Sequence, residues 1–323
     1  MISLNNKDTF YSKILLFGEY SVILNSMGLS IPYAHFKGEL SFINDYKYTD
    51  LDFAQESNRQ LTLFYDYLQI LKTNNKLLVD INLEEFKADI DTGIYFESSI
   101  PQGYGIGSSG ALVAAIYNKY TGHKIDHKRN PSQNQTNILK SHFAQMESFF
   151  HGTSSGLDPL NSYLQYPILT LEDNRIETIG IPRNKHLKDA AIFLLNTRRT
   201  SKTSPLVNIF MDKCKDLQFK EQVEQEMIKY NNACIHHLLN GKTEDFFSNL
   251  HLLSTFEFNN LKEMIPSDFY KIWESGLETN EFILKLCGSG GGGFLLGFTK
   301  DYRSTKETMN KHQYETILVY KND

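Results

Sequence analysis

The chain has 323 residues, 41% hydrophobic and 22% charged, enough apolar material for one large domain or two ordinary ones, and no apolar run long enough to span a membrane. Its net charge is −5, with lysines and arginines scattered among the acids, which argues against nucleic acid as the main partner. Cys214, Cys234 and Cys287 are odd in number and far apart, so neither a disulfide framework nor a metal cluster is expected, and a reducing, cytoplasmic setting fits best.

In chain order, the N-terminus lacks the charged-then-apolar design of a signal peptide. YSKILLF, residues 11–17, reads as a strand closed by Gly18, and Gly28 and Pro32 punctuate a turn into a second short strand. Leu61, Leu63, Phe64, Leu68 and Leu71 recur at helical spacing. A strand around Ile94–Phe96 leads into a glycine-rich loop and then a helix beginning near Ala111. Residues 137–151 form a helix whose stripe is Leu139, Phe143, Met146 and Phe150, stopped by Gly152. YPILTLEDNRIETIGIP resembles a hairpin, and AAIFLLNTRRTS a buried strand running into a polar turn. Residues 204–240 and 244–275 are mostly helical, and FILKLCGSGGGGFLLGF reads as strand, glycine loop, strand. Strands and helices mix without a steady βαβ rhythm, so an α+β fold in two lobes is expected, divided near residue 185.

The loop PQGYGIGSSGA, residues 101–111, carries the most chemical information. Gly103, Gly105 and Gly107 alternate with Tyr104 and Ile106, and Ser108, Ser109 and Gly110 follow. Residues without Cβ let backbone N–H groups crowd towards a ligand, and a helix starting there adds its unpaired amides and dipole. That is an anion site, suited to phosphates. A tight turn is the plainer alternative for any one of these glycines. Gly105, Gly107 and Gly110 also satisfy the dinucleotide fingerprint, but the acidic residue that should end a second strand is replaced by Asp126 in a polar stretch. No lysine follows the glycines as in a P-loop, and the H-R-D and D-F-G signatures of protein kinases are missing.

PQGYGIGSSGA resembles the P-x-G-x-G-x-G-S-S-x-A loop of the GHMP kinases. SKILLFGEYSVI, residues 12–23, and KLCGSGGGGF, residues 285–294, are similar to that family's first and third motifs, in the same order and across nearly the whole chain. The resemblance implies a two-lobed GHMP kinase fold, with a ribosomal protein S5 domain 2-like ATP-binding lobe over 1–185, a ferredoxin-like lobe over 186–323, and MgATP in the cleft. Within the family the mevalonate kinases match best. They imply Lys13 and Asp158 as the catalytic pair, and Ser109 and Glu147 as ligands of Mg2+. Gly103, Gly105, Ile106, Gly107, Ser108, Ser109 and Gly110 would bind ATP phosphates, and Glu19, Tyr20, Thr203, Gly290 and Gly291 the substrate. Glu147 and Asp158 stand at the family's separation in ESFFHGTSSGLD. The implied activity is phosphorylation of the 5-hydroxyl of mevalonate, with no nucleic acid or membrane partner, and the resemblance leans towards a homodimer.

The chemistry supports this reading independently. Phosphoryl transfer asks mainly for positioning and charge neutralisation, which a hydroxyl, two carboxylates and a lysine can provide. Taken singly, each residue has an ordinary alternative. Lys13 reads as an edge-strand solubiliser, Glu147 as solvent-facing, Asp158 before Pro159 as a turn residue, Ser109 as a helix N-cap, and the glycines at 290–293 as a hairpin loop. Arg198 and Arg199 read as a solvated pair. Residue 20 is Tyr where mevalonate kinases usually have His. G-E-Y is familiar from phosphomevalonate kinases, although their third motif usually ends in Asp and this chain has Phe294. Galactokinases carry G-E-H-x-D-Y, homoserine kinases lack the Lys–Asp pairing, and diphosphomevalonate decarboxylases would not carry S-K-I-L-L-F-G-E. A catalytically silent nucleotide-binding regulator on the same fold is the alternative from another class.

Overall fold

The computed structural model describes residues 8–45, 50–126, 131–182, 189–201 and 203–322. Its elements are β1 (Phe10–Phe17), β2 (Gly28–Phe42), α1 (Leu51–Thr73), α2 (Leu83–Thr92), β3 (Ile94–Ser98), α3 (Ser108–Tyr120), α4 (Gln133–His151), α5 (Leu157–Leu164), β4 (Ile168–Thr170) and β5 (Ile176–Thr178). They continue with β6 (Ala191–Asn196), α6 (Thr203–Lys213), α7 (Leu217–Gln222), α8 (Lys229–Leu239), α9 (Thr243–Asn260), α10 (Tyr270–Thr279), β7 (Ile283–Leu286), β8 (Phe294–Thr299), α11 (Tyr302–Lys311) and β9 (Thr316–Lys321). The class is α+β. The chain forms two compact units: one gathers the chain up to Lys13 with Pro32–Pro101 and Gly107–Gln165, the other Ile14–Ile31, Gln102–Ile106 and Tyr166–Asp323. The expected division near residue 185 falls within 183–188, outside the described residues.

In the first unit, β2 pairs antiparallel with β3 from Gly38↔Ser98 to Phe42↔Ile94. Helix α1 starts on Asp50, whose side chain accepts the Asp52 N–H, and buries Leu61, Phe64 and Leu68; Leu63, one position off that stripe, is exposed. Asn58 ties α1 down by donating to the carbonyls of Ile90 and Ile94. Helix α4 opens on a capping box of Ser132 and Gln135 and closes on Gly152, burying Leu139, Phe143 and Met146. Phe143 packs edge-on to Tyr117 of α3 and Tyr163 of α5, with centroids 5.0 and 5.5 Å away. Ala111, Val113, Ala114, Ala115 and Ile116 are all buried, as a helix apolar on every side requires. The core therefore forms around α3, and it fixes where that helix's N-terminus points.

In the second unit, β4 and β5 make the expected hairpin, and β4 also pairs with the start of β2 from Gly28↔Thr170 to Ser30↔Ile168. An antiparallel sheet follows in the order β7-β8-β6-β9. Trp273 of α10 is fully buried behind it, donating to Ser254 of α9, which in turn donates to the Leu284 carbonyl of β7. A π-helical turn, Val223–Ile228, joins α7 to α8.

The second strand differs from expectation: β2 starts at Gly28 itself and runs 15 residues through Pro32. Pro32 lies between the stretch paired with β4 and the stretch paired with β3, so on that edge its missing N–H costs no ladder bond. No helix among the described residues is long and apolar enough to cross a membrane.

Candidate functional site

The first unit assembles one constellation at the start of α3. Gly107 caps the helix, and the first intrahelical bond runs from the Ala111 N–H to the Gly107 carbonyl, so the amides of Ser108, Ser109 and Gly110 have no acceptor within the helix. The expected N-cap role therefore belongs to Gly107, and Ser109 stands in the first helical turn. Two glycines let α5 pack closely, Gly110 against this end of α3 and Gly156 against α4. A Cβ at Gly110 would sit 2.8 Å from the Asp158 carbonyl carbon and the Pro159 nitrogen, and one at Gly156, itself at φ +74°, would sit 2.3 Å from the Lys140 carbonyl oxygen. Asp158 is thereby placed in the first turn of α5, capped by Gly156, rather than in an open turn.

Lys13 Nζ lies 2.8 Å from Asp158 Oδ1, the lysine side chain 8% and the aspartate 32% exposed. The lysine is thus a buried cation in β1 rather than an edge-strand solubiliser. Nearby, Ser109 Oγ donates to Glu147 Oε1 at 3.0 Å, and Ser154 Oγ donates to Oε2 of the same carboxylate at 2.5 Å. Glu147 is only 3% exposed, although its place at the flank of the α4 stripe reads as solvent-facing. Burial, reinforced by the charge of Asp158, lifts its carboxyl to about 7 against the opposing effects of Ser154, Ser109 and Lys13. A buried, partly desolvated carboxylate beside a hydroxyl is a hard-oxygen donor pair. No cluster of three or more His, Cys, Asp or Glu suited to a metal exists among the described residues. Two protein oxygens suit Mg2+, which keeps waters and phosphate oxygens as its other ligands, so Ser109 and Glu147 fit that ion. Sequence reasoning missed Ser154, and it missed His151, whose Nε2 is 2.9 Å from Ser109 Oγ. Both lie in HGTSSG: His151 ends α4, and Ser154 follows the stop at Gly152.

The other expected residues lie in the second unit. Gly103, Gly105 and the buried Ile106 precede the cap, and the Gly103 carbonyl accepts the Ser201 N–H at 2.9 Å. Glu19 is buried, with Oε2 2.6 Å from Lys285 Nζ. Tyr20 is buried too, and its hydroxyl donates to the Ser289 carbonyl at 2.5 Å. Burial, together with the charges of Glu257 and Glu19, pushes that phenol's pKa far up, so it stays a neutral donor. The Gly291 N–H donates to the Met264 carbonyl at 2.6 Å, and Gly290 packs against the same residue. Thr203 opens α6, but its side chain lies outside the described residues. Arg199 pairs with Asp268, and Arg198 lies 3.9 Å from Glu315, both largely exposed. Cys214, Cys234 and Cys287 are buried thiols, none of them in a disulfide.

Known proteins resemble this chain in part of its sequence and in its fold. Residues 70–165, from the end of α1 through α5, match the sequence model of the GHMP kinases N terminal domain. No curated protein matches the chain. Among solved structures, the L. major mevalonate kinase in complex with R-mevalonate is similar at 16% identity, covering 98% of this chain and 96% of that one, with a TM-score of 0.61. The Methanococcus jannaschii mevalonate kinase is similar at 17% identity, 98% coverage of both chains and a TM-score of 0.62. The Streptococcus pneumoniae phosphomevalonate kinase in complex with phosphomevalonate and AMPPNP is similar at 14% identity, covering 97% of this chain and 99% of that one, with a TM-score of 0.58. At these identities the likeness establishes the fold.

Proposed function

We propose that this chain, which has the GHMP kinase fold and carries that family's N-terminal domain, is an ATP-dependent kinase that phosphorylates the 5-hydroxyl of mevalonate. The observation that carries this reading is the Lys13–Asp158 ion pair at 2.8 Å, standing in the same unit as the Ser109–Glu147 pair. An Asp carboxylate paired with a buried lysine can take the acceptor hydroxyl's proton as its oxygen bonds the γ-phosphorus and the bond to the leaving ADP breaks, and the lysine offsets the charge that develops. The orphan amides of Ser108, Ser109 and Gly110 suit ATP phosphates. Mg2+, held by Ser109 and Glu147, would neutralise phosphate charge. Glu147 itself stays oriented by Ser154, so its oxygens face the helix start. A cytoplasmic setting accords with three cysteines held as thiols rather than in disulfides.

One observation favours a second acceptor. Residues 18–20 read G-E-Y, familiar from phosphomevalonate kinases, where mevalonate kinases usually read G-E-H. Phosphomevalonate kinase is therefore the second reading. A silent regulator would have no need of a Lys–Asp pair at hydrogen-bonding distance. The test is ADP release from MgATP with mevalonate and, separately, 5-phosphomevalonate. Turnover of mevalonate is expected; turnover of 5-phosphomevalonate alone would move the assignment, and silence with both would reject each.

A further inference from the structure

The second unit holds a buried polar cluster that phosphoryl transfer does not call upon. Lys285, at the end of β7, has a fully buried ammonium 2.6 Å from Glu19 and donates to the Leu286 carbonyl at 2.7 Å. Glu257 of α9, also buried, accepts the Leu286 N–H at 2.8 Å. Leu286 is thus gripped at its N–H by the Glu257 carboxyl group and at its carbonyl by an ammonium. It is the last residue of the strand before the glycine loop 287–293. Three residues on, Tyr20 donates to the Ser289 carbonyl, its ring stacked at a tilt on Phe210 with centroids 4.9 Å apart. Tyr20 holds φ +61°, a region a bulky aromatic residue enters at a cost of about 1–3 kcal/mol. Such strain persists only where the surroundings over-determine it. The loop's far side is fastened as well: Gly291 donates to Met264, Gly293 to Arg199, and the Gly293 carbonyl accepts from Thr197.

Two consequences follow. Two amides of the loop, those of Gly291 and Gly293, are occupied by the protein's own carbonyls. Glu19 and Tyr20, neighbours in SKILLFGEY, each spend their polar group on KLCGSGGGGF, Glu19 on Lys285 and Tyr20 on Ser289. We infer that Tyr20, Lys285 and Glu257 are positioning residues that lock the glycine loop 287–293 in one conformation, and that Tyr20 does not read the acceptor directly. The lock stands on the geometry above; its consequence for turnover rests on the kinase reading.

Hydrogen exchange of peptides covering 286–293, followed by mass spectrometry on the full chain, reads the lock without any substrate. Tyr20→Phe removes one hydrogen bond and no ring packing, and should speed exchange there roughly five- to tenfold, leaving α3–α5 peptides unchanged. Glu257→Ala should do the same, whereas Glu257→Gln keeps an acceptor for Leu286 and should restore slow exchange. In steady-state assays Tyr20→Phe should lower kcat and leave the acceptor KM within about twofold. A raised acceptor KM with loop exchange unchanged would make Tyr20 a substrate ligand and overturn the inference, and so would no change in either measurement. Wild-type protein without turnover would reject the kinase reading, while the exchange data would still decide the lock.

Discussion

Ser109 and Glu147, a hydroxyl and a carboxylate in hydrogen-bond contact, are the proposed Mg2+ ligands. Glu147 is buried with hydrogen bonds from two serines, so replacing either serine leaves a desolvated oxygen behind. Ser109→Ala should raise the Mg2+ concentration for half-maximal turnover by roughly tenfold, in a titration of MgCl2 at fixed ATP. An unchanged Mg2+ requirement would remove Ser109 from the cation site. These two residues were legible in the sequence because the spacing of ESFFHGTSSGLD and the serine pair reproduce a family pattern. The burial of Glu147 was not, since its position on the flank of a stripe leaves periodicity undecided between solvent and interior. Glu19 was harder still. Its partner Lys285 lies at the other end of the chain, and no local pattern announces an ion pair formed by distant segments.

At the scale of elements, the placing of Asp158 depends on how closely α3 and α5 approach. Gly110 has no room for a side chain: a Cβ there would stand 2.8 Å from backbone atoms of Asp158 and Pro159, which cannot swing aside. Gly110→Ala should therefore cost roughly 1–3 kcal/mol of stability and lower kcat by displacing Asp158. Gly122, where an added Cβ would meet nothing within 4 Å, is the matched control and should tolerate Ala. Equal behaviour of the two variants in denaturant melts and assays would contradict the account. Element type was legible almost throughout, because stripes such as Leu139, Phe143 and Met146 are strong signals. The extent of β2 was not: Pro32 reads as a breaker, and only the strand's neighbours reveal that its N–H is not needed on that edge.

For the whole molecule, the buried cluster makes stability depend on pH. Burial is the main cause that lifts Glu257 to about 8 from its ordinary 4.5, with Glu19 adding and Lys285 and the Leu286 N–H opposing. Burial also works against the charge of Lys285, but the two glutamates outweigh it and raise its pKa. Because the folded pKa of Glu257 exceeds the unfolded one, the folded protein binds more protons between these values. Stability then falls as pH rises through that window. Glu257→Gln cannot ionise, so its urea-unfolding free energy should fall less than the wild type's over the same range, by on the order of 1 kcal/mol or more. Parallel curves for the two proteins would show that Glu257 does not titrate there. The α+β class was legible from the mixture of strands and helices and from three short motifs. The assignment of residues to units was not, since Ile14–Ile31 and Gln102–Ile106 join a unit otherwise built from Tyr166 onwards.

The most direct test of the central claim is ADP release from MgATP and mevalonate by wild-type protein and Asp158→Asn, with ATP binding measured in parallel. Asparagine keeps the shape at Lys13 but cannot take the proton. Turnover should fall by roughly 10²–10⁴ with ATP affinity nearly unchanged. Equal turnover by the two proteins would remove Asp158 from the chemistry, and with it the kinase mechanism built on the Lys13–Asp158 pair.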